Sequence, residues 1–334
     1  MAQHFLLSAE ARTLSLKQIF AMPDKVAFDI FKDSRWGEGD PVCPVCGRID
    51  AHYFIGTRQQ WRCKGCNHTF SLTSGTIFAN HKLPLKTYVA AIAISSNAVK
   101  GMSALQLARD LDVQYKTAFV MAHKIRESLM AQRNDGPLSG DVEIDAAYTN
   151  GYVRPENREE DRVDRRLAGN QNPNKRCVLV IRARDGESKP GRALTFVLKS
   201  ENQNDIKALA GKFVLKGTNL YADECQAYNP LHGMFPTFRV NHGIEYQAKD
   251  GANINQAESF FSRFRRMQVG QNHKFGNMYL ANYANEAAYR EDNRRMSNGA
   301  MFQDIMAKCA ASRTSRDFCG YWQGNKNREE RLAH

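Results

Sequence analysis

The sequence lacks an apolar run long enough to cross a bilayer. Its most apolar stretch, Tyr88 to Ala98, is about half of the roughly 20 residues a spanning helix needs, and Ser95, Ser96 and Asn97 interrupt it. No membrane partner is expected. The N-terminal MAQHFLLSAEARTLSLKQ carries early charges around a short apolar patch and does not read as a secretory leader, so a reducing cytoplasm is the expected compartment. Glycine and proline are sparse, 23 and 10 in 334 residues, and no repeat or low-complexity tract occurs, which excludes collagen-like and disordered chains. Acidic residues are also in deficit: 35 Asp and Glu against 47 Lys and Arg leave a net charge of +12. That imbalance points to an anionic partner, nucleic acid first, with solubility as the plain alternative. A hydrophobic share of 42% at this length supports cores for two or three domains.

Eight cysteines are present, and in a reducing compartment their spacing matters more than their number. Cys43-Pro-Val-Cys46-Gly47 and Cys63-Lys-Gly-Cys66 are two knuckles separated by 16 residues, the spacing of a four-thiolate zinc site. The two-residue spacer puts both sulfurs of a knuckle on one side of a tight turn, Gly47 and Gly65 permit the bend, and four sulfurs close a structural tetrahedron. Short strands at 52–56 and 58–62 between the knuckles predict a zinc ribbon. Redox chemistry is the alternative for a lone CxxC, but matched pairs beside aromatic strands argue against it. Cys177, Cys225, Cys309 and Cys319 lack partner spacing and read as buried or idle thiols.

The remaining pattern divides the chain. Residues 1–35 form a helical lead-in broken at Pro23, 36–75 the ribbon, and 76–131 a helical region. In the last, Leu83-Pro84-Leu85-Lys86 opens a helix through Ala98. Ser103 to Asp110 and Gln114 to Met130 then flank a break at Leu111-Asp112-Val113. A short helix, a turn and a longer helix match a helix-turn-helix, whose second helix offers Gln114, Tyr115, Lys116 and Thr117 to a DNA groove, although helix pairs that merely pack share the pattern. The polar QRNDGPLS at 132–139 marks a boundary. Beyond it, Val142 to Tyr148, Arg176 to Arg182 and Ala193 to Leu198 predict a three-strand meander, interrupted by a charged insert at 152–175 that reads as a surface loop. A helix near Asn204 to Lys212, strands at Asn219 to Ala222 and Thr237 to Val240, and a long helical stretch from Asn253 to Arg295 broken at Gly270 to Gly276 complete a domain at 140–298. Residues 299–334 read as a tail.

That order of elements is an α/β arrangement of the RNase H-like kind, in which chemistry gathers where the first and fourth strands lie side by side. Asp145 lies in the first strand and Asp223 at the end of the fourth. Glu258 lies on the next long helix, where Ile254, Ala257, Phe261 and Phe264 make a buried stripe beside a polar stripe of Asn255, Glu258, Ser262 and Arg265. Taken singly, each acid reads as well as a turn, cap or surface residue. Converging, they repel unless cations sit among them, and two magnesium ions about 4 Å apart satisfy them while promoting phosphodiester chemistry.

With these motifs the chain resembles the bacterial insertion-sequence transposases of the IS1595 group, which join a zinc-ribbon N-terminus to an ISXO2-like DDE catalytic domain. The resemblance rests on the two cysteine knuckles, Phe78 to Leu85, Lys100 to Ala108, Tyr115-Lys-Thr-Ala118 and His123-Lys124-Ile-Arg126. In the second half it rests on Glu143-Ile-Asp145, Tyr221-Ala-Asp223, Val240-Asn-His242, Asn255 to Arg266 and Glu286 to Arg294. It implies catalytic and metal-binding roles for Asp145, Asp223 and Glu258, with 34 residues between the last two. It further implies two Mg²⁺ or Mn²⁺ ions and a structural Zn²⁺ on Cys43, Cys46, Cys63 and Cys66. Where the family usually has Lys, Arg265 stands on the same helix face as a phosphate-holding cation, and Phe261 replaces a usual Trp. The third acid varies within the family, and His242 follows a fifth-strand motif near the site. DNA contacts are expected from Gln114, Tyr115, Lys116, Thr117, Lys124, Arg263 and Arg266. The partners implied are the element's terminal inverted repeats and target DNA, bound by a homodimer or larger assembly in a bacterial, nucleoid-associated setting. Rival readings are a zinc-dependent DNA-binding regulator with an inactive nuclease-like domain, and a nuclease or resolvase that cuts without joining.

Overall fold

The computed structural model describes residues 5–184, 186, 191–240, 253–325 and 329–333. Its contacts separate Met1–Arg133 with Asn293–Asn327 from Asn134–Asp292 with Arg328–His334. Among the described residues no helix is long and apolar enough to cross a membrane.

The first unit opens with α1 (Leu16–Ala21) and α2 (Asp24–Trp36), divided at Pro23, whose missing N–H suits a helix start. Three antiparallel strands follow: β1 (His52–Ile55), β2 (Gln60–Cys63) and β3 (Thr69–Ser71). The third was not anticipated. Phe70 on β3 pairs with Trp61 on β2, and Trp61 stacks at 5.9 Å on both Phe70 and Phe28 of α2, so aromatic burial holds the small sheet to the helix. Then come α3 (Leu85–Asn97), α4 (Ala104–Asp110) and α5 (Tyr115–Ala131). The Ser103 hydroxyl accepts the Gln106 N–H at 3.1 Å as the predicted cap of α4, and Asp112 takes a left-handed φ of 51° in the turn to α5.

Residues 299–334 are not a plain tail. A helix at Asn298–Ala311, capped by Ser297, buries Met301, Phe302, Ile305, Met306 and Cys309 and packs on α2, α3 and α5. Asn298 fixes its start: its carbonyl accepts the N–H groups of Thr13 and Leu14, and its amide donates to Leu14 O and Asn97 Oδ1.

The second unit is a five-stranded mixed sheet. In chain order it comprises β4 (Asp141–Thr149), β5 (Arg176–Ala183), β6 (Ala193–Leu198), α6 (Gln203–Phe213), β7 (Asn219–Asp223), β8 (Thr237–Val240), α7 (Asn255–Met267) and α8 (Leu280–Asp292). The spatial order is β6-β5-β4-β7-β8, antiparallel from β6 to β4 and parallel from β4 to β8. Side chains alternate across β4. Val142 and Ile144 join the core under α6, while Ala147 joins the one under α7 and α8. The α7 stripe of Ala257, Phe260, Phe261, Phe264 and Met267 is buried, and each phenylalanine contributes about 2 kcal/mol by leaving water. The 152–175 insert contains turns and one short 3-10 helix at Ala168–Asn170.

Candidate metal centres and DNA-facing residues

The two cysteine knuckles are built alike. Gly47 N–H donates to Cys43 O and Asn67 N–H to Cys63 O, each at 2.9 Å, and the N–H groups of Cys43 and Cys63 close onto Arg48 O and His68 O, also at 2.9 Å. The residue after each second cysteine is left-handed, Gly47 at φ 72° and Asn67 at φ 58°. The second bend therefore depends on Asn67 rather than Gly65. All eight cysteines are free, and the sulfurs of Cys43, Cys46, Cys63 and Cys66 lie within 4.8 Å of one another. Cys43 to Cys66 is 3.7 Å and Cys46 to Cys63 is 3.6 Å. A tetrahedron with Zn–S bonds of about 2.3 Å requires sulfur separations of roughly 3.8 Å, so the donors fit zinc. At Cys63 burial favours the thiol, but the N–H groups of Cys66 and Gly65 and the thiols of Cys46 and Cys66 outweigh it and bring the group down to about 6, toward the thiolate a metal takes.

In the second unit the acids meet through the sheet. Strands β4 and β7 run parallel with Ile144 opposite Ala222, so Asp145 and Asp223 follow as the next pair. Asp145 Oδ1 accepts its neighbour's Ala146 N–H at 2.8 Å, and Asp223 Oδ1 accepts Cys225 N–H at 3.0 Å. Glu258, half-buried in the first turn of α7, reaches the same centre. Burial pushes the Asp145 carboxyl up to about 7; the Ala146 N–H pulls it down, and the charges of Asp223, Glu201 and Glu258 add to the upward push.

Glu143 ties the helix to the strand. Fully buried two residues before Asp145, it accepts Arg184 Nε and the Ala257 N–H, each at 2.8 Å, and so anchors the start of α7. Arg239 on β8 steadies the other side by donating to Asp223 O and Cys225 O at 2.5 and 2.7 Å.

Sequence reasoning missed one acid. Glu201, in the link between β6 and α6, clusters with Asp223 and Cys225 so that one ligand atom of each lies within 4.8 Å of the others. Cys225 is thus not an idle thiol. Apart from the cysteine tetrad, this cluster rather than the Asp145, Asp223 and Glu258 trio is the tight grouping of metal-ligating side chains among the described residues. The carboxylate oxygens suit a hard divalent cation such as Mg²⁺ or Mn²⁺.

The remaining predicted residues divide by exposure. Gln114, Tyr115 and Lys116 are exposed and Thr117 half-buried at the start of α5. Trp322 borders them: its indole N–H donates to Lys116 O at 3.1 Å, and the Lys116 ammonium lies 5.1 Å from its ring centre. Lys124 corrects the expectation of a DNA contact. It is buried with its ammonium toward Ala79 O, because α5 is covered on all sides from Met121 to Leu129. Arg263, Arg265 and Arg266 are exposed on α7, with Arg263 held 2.6 Å from Glu291. His242 lies outside the described residues.

A four-thiol ribbon and a separate mixed α/β unit with carboxylates gathered at its central strands define a protein with two unlike metal-type centres. Residues 22–69 match the transposase zinc-ribbon domain and residues 137–292 the ISXO2-like transposase domain, together more than half of the chain. The chain belongs to the IS1595-type insertion-sequence transposase family. It is also 26% identical over 251 residues, 73% of this chain and 82% of the relative, to a protein of Halobacterium salinarum described as an uncharacterized protein in transposable element ISH50.

Proposed function

We propose that the protein is a DDE transposase that binds the terminal inverted repeats of its element, cuts DNA at the element end and joins the freed 3′-hydroxyl to target DNA. The observation that carries this reading is the convergence of Asp145, Asp223 and Glu258, from two adjacent strands and the helix packed over them, into one mutually repelling group. The sheet order, with three antiparallel strands followed by two parallel ones and the acids at the β4 and β7 pair, supports an RNase H-like catalytic domain.

Asp145, Asp223 and Glu258 hold divalent ions, which supply activation of the attacking oxygen and stabilisation of the leaving oxygen when bound. Glu143 keeps Glu258 in register with Asp145 by fixing the neighbouring Ala257 N–H. Exposed Arg265 and Arg266 offer charge to DNA phosphates, and so does an open polar cavity of about 660 Å³ lined in part by Tyr148, Lys175, Arg176 and Lys199. The α4 and α5 pair acts as the helix-turn-helix, with Gln114, Tyr115, Lys116 and Thr117 toward the groove. Both element ends must be handled together, so a dimer or larger assembly forms on DNA.

Purified full-length protein, an end-containing duplex and Mg²⁺ are expected to give joined strands, and Asp145→Ala or Asp223→Ala to abolish joining. Joining that survives both substitutions contradicts the assignment. Cleavage without transfer of a supplied 3′-hydroxyl end makes the protein a nuclease instead.

A further inference from the structure

The acid that the expected trio leaves out has the geometry of a ligand. Glu201 lies at the end of the link from β6, where its backbone N–H donates to the Tyr148 hydroxyl at 3.1 Å; Tyr148 is on β4, three residues beyond Asp145. Its carboxylate shares a cluster with Asp223 and Cys225. The plain role for an acid here is to support the start of α6. That role is already filled: Asn202 Oδ1 accepts the Asp205 N–H at 3.0 Å, and Asp205 supplies the first-turn negative charge.

A second observation comes from another element. Tyr228, in the 3-10 helix Gln226–Gly233 after β7, is completely buried, and its hydroxyl meets no partner at hydrogen-bonding geometry. The hydroxyl faces the charges of Glu201, Asp145 and Asp223. A buried phenol without a bond costs about 1–3 kcal/mol, so a polar group is expected to meet it. Bound cations bring oxygen ligands with them, and a donor aimed at such a shell is satisfied when the ion is present. The Cys225 thiol is a poor donor for a hard cation, which leaves the two carboxylates as ligands.

We propose that Glu201 is a fourth carboxylate of the centre, that it shares a Mg²⁺ or Mn²⁺ ion with Asp223, and that the Tyr228 hydroxyl donates into that ion's oxygen shell. The proposal rests on reading Asp145, Asp223 and Glu258 as a divalent-cation site. Asp223 then bridges two ions, one shared with Asp145 and Glu258 and the other with Glu201. This divides the ligands of a two-ion site between two sides of β7.

Mn²⁺ titration of the zinc-loaded full-length chain tests it, read by calorimetry and by the electron paramagnetic resonance of free Mn²⁺. Wild type is expected to bind two ions. Glu201→Gln is expected to lose one, or to weaken it at least tenfold, with zinc content and circular dichroism unchanged. Asp145→Asn weakens the other ion. If Asp145→Asn is weakened but Glu201→Gln titrates as wild type, the Glu201 proposal falls and the metal-site reading stands. If neither variant changes Mn²⁺ binding, the reading of the acids as a metal site falls with it. A lowered melting temperature in Glu201→Gln with wild-type Mn²⁺ binding assigns Glu201 to the helix start and overturns the proposal. Should Glu201→Gln fail to fold, Tyr228→Phe decides: severalfold weaker binding of one ion supports the proposal, and unchanged binding overturns it.

Discussion

The ribbon draws its four sulfurs from a short stretch between Cys43 and Cys66, whereas the acids run from Asp145 to Glu258, across more than a hundred residues. Each sulfur is placed by a turn of its own sequence, closed by backbone bonds that repeat in both knuckles. Each acid is placed by something far away: Asp145 by pairing with β7, Glu258 by the bond from Ala257 to Glu143, and Glu201 by the turn at the end of β6. The first centre is a local device that depends on metal for its fold. The second is a product of the whole sheet, which folds around its own core and imposes charge repulsion on the acids.

Breaking the local device should have the largest effect. Structural zinc contributes about 10–16 kcal/mol to small zinc modules, so Cys63→Ser should lose zinc and unfold β1 to β3, as read by metal content and amide exchange. Mn²⁺ binding by the acids should persist in that variant; its simultaneous loss would remove the contrast between the centres.

The acids should instead respond to pH. Asp145 is raised to about 7, so protons compete with cations below that value. Mn²⁺ affinity should fall about tenfold for each pH unit below 7 and level off above it, as measured by calorimetry. The sign for the metal-free chain follows from the same shift: a folded value above the unfolded one makes ionised Asp145 destabilising as pH rises from about 4 through 7. Bound cations relieve that cost.

Two smaller effects belong to the first unit. Lys116→Ala should weaken binding to an element-end duplex severalfold and reduce the slope of log affinity against log salt by about 1, in a fluorescence anisotropy titration at several salt concentrations. An unchanged slope removes Lys116 from the DNA surface. Ser103→Ala removes the cap of α4 and should cost about 1 kcal/mol in thermal unfolding, with no change in Mn²⁺ affinity.

The same distinction between local and distant causes explains what could be read from the sequence. Spacing and turn chemistry disclosed the cysteine tetrad, the Ser103 cap and the break at Pro23, because neighbouring residues set each of them. The strands β4 to β8 were legible from their apolar runs, and Ala193–Leu198 and Thr237–Val240 match residue for residue. Glu201 was hidden because an acid just before an Asn cap looks like a helix start; only packing brings it to Asp223. Lys124 misled for the opposite reason. A lysine between the apolar Met121 and Leu129 looks like the wet side of an amphipathic helix, and only contact with α3, α4 and the 298–311 helix buries it. That last helix had a signal in Ser297 and in the four-residue spacing of Met301, Ile305 and Cys309.

The central claim is that DNA recognition and carboxylate chemistry reside in different units, and one experiment addresses it directly. Full-length wild type and Asp145→Ala are each titrated with an element-end duplex and then supplied with target DNA and Mg²⁺. The account predicts equal end-binding affinity for the two proteins, with strand joining only in wild type. Joining by Asp145→Ala, or loss of its end binding while its zinc and fold are retained, contradicts the account.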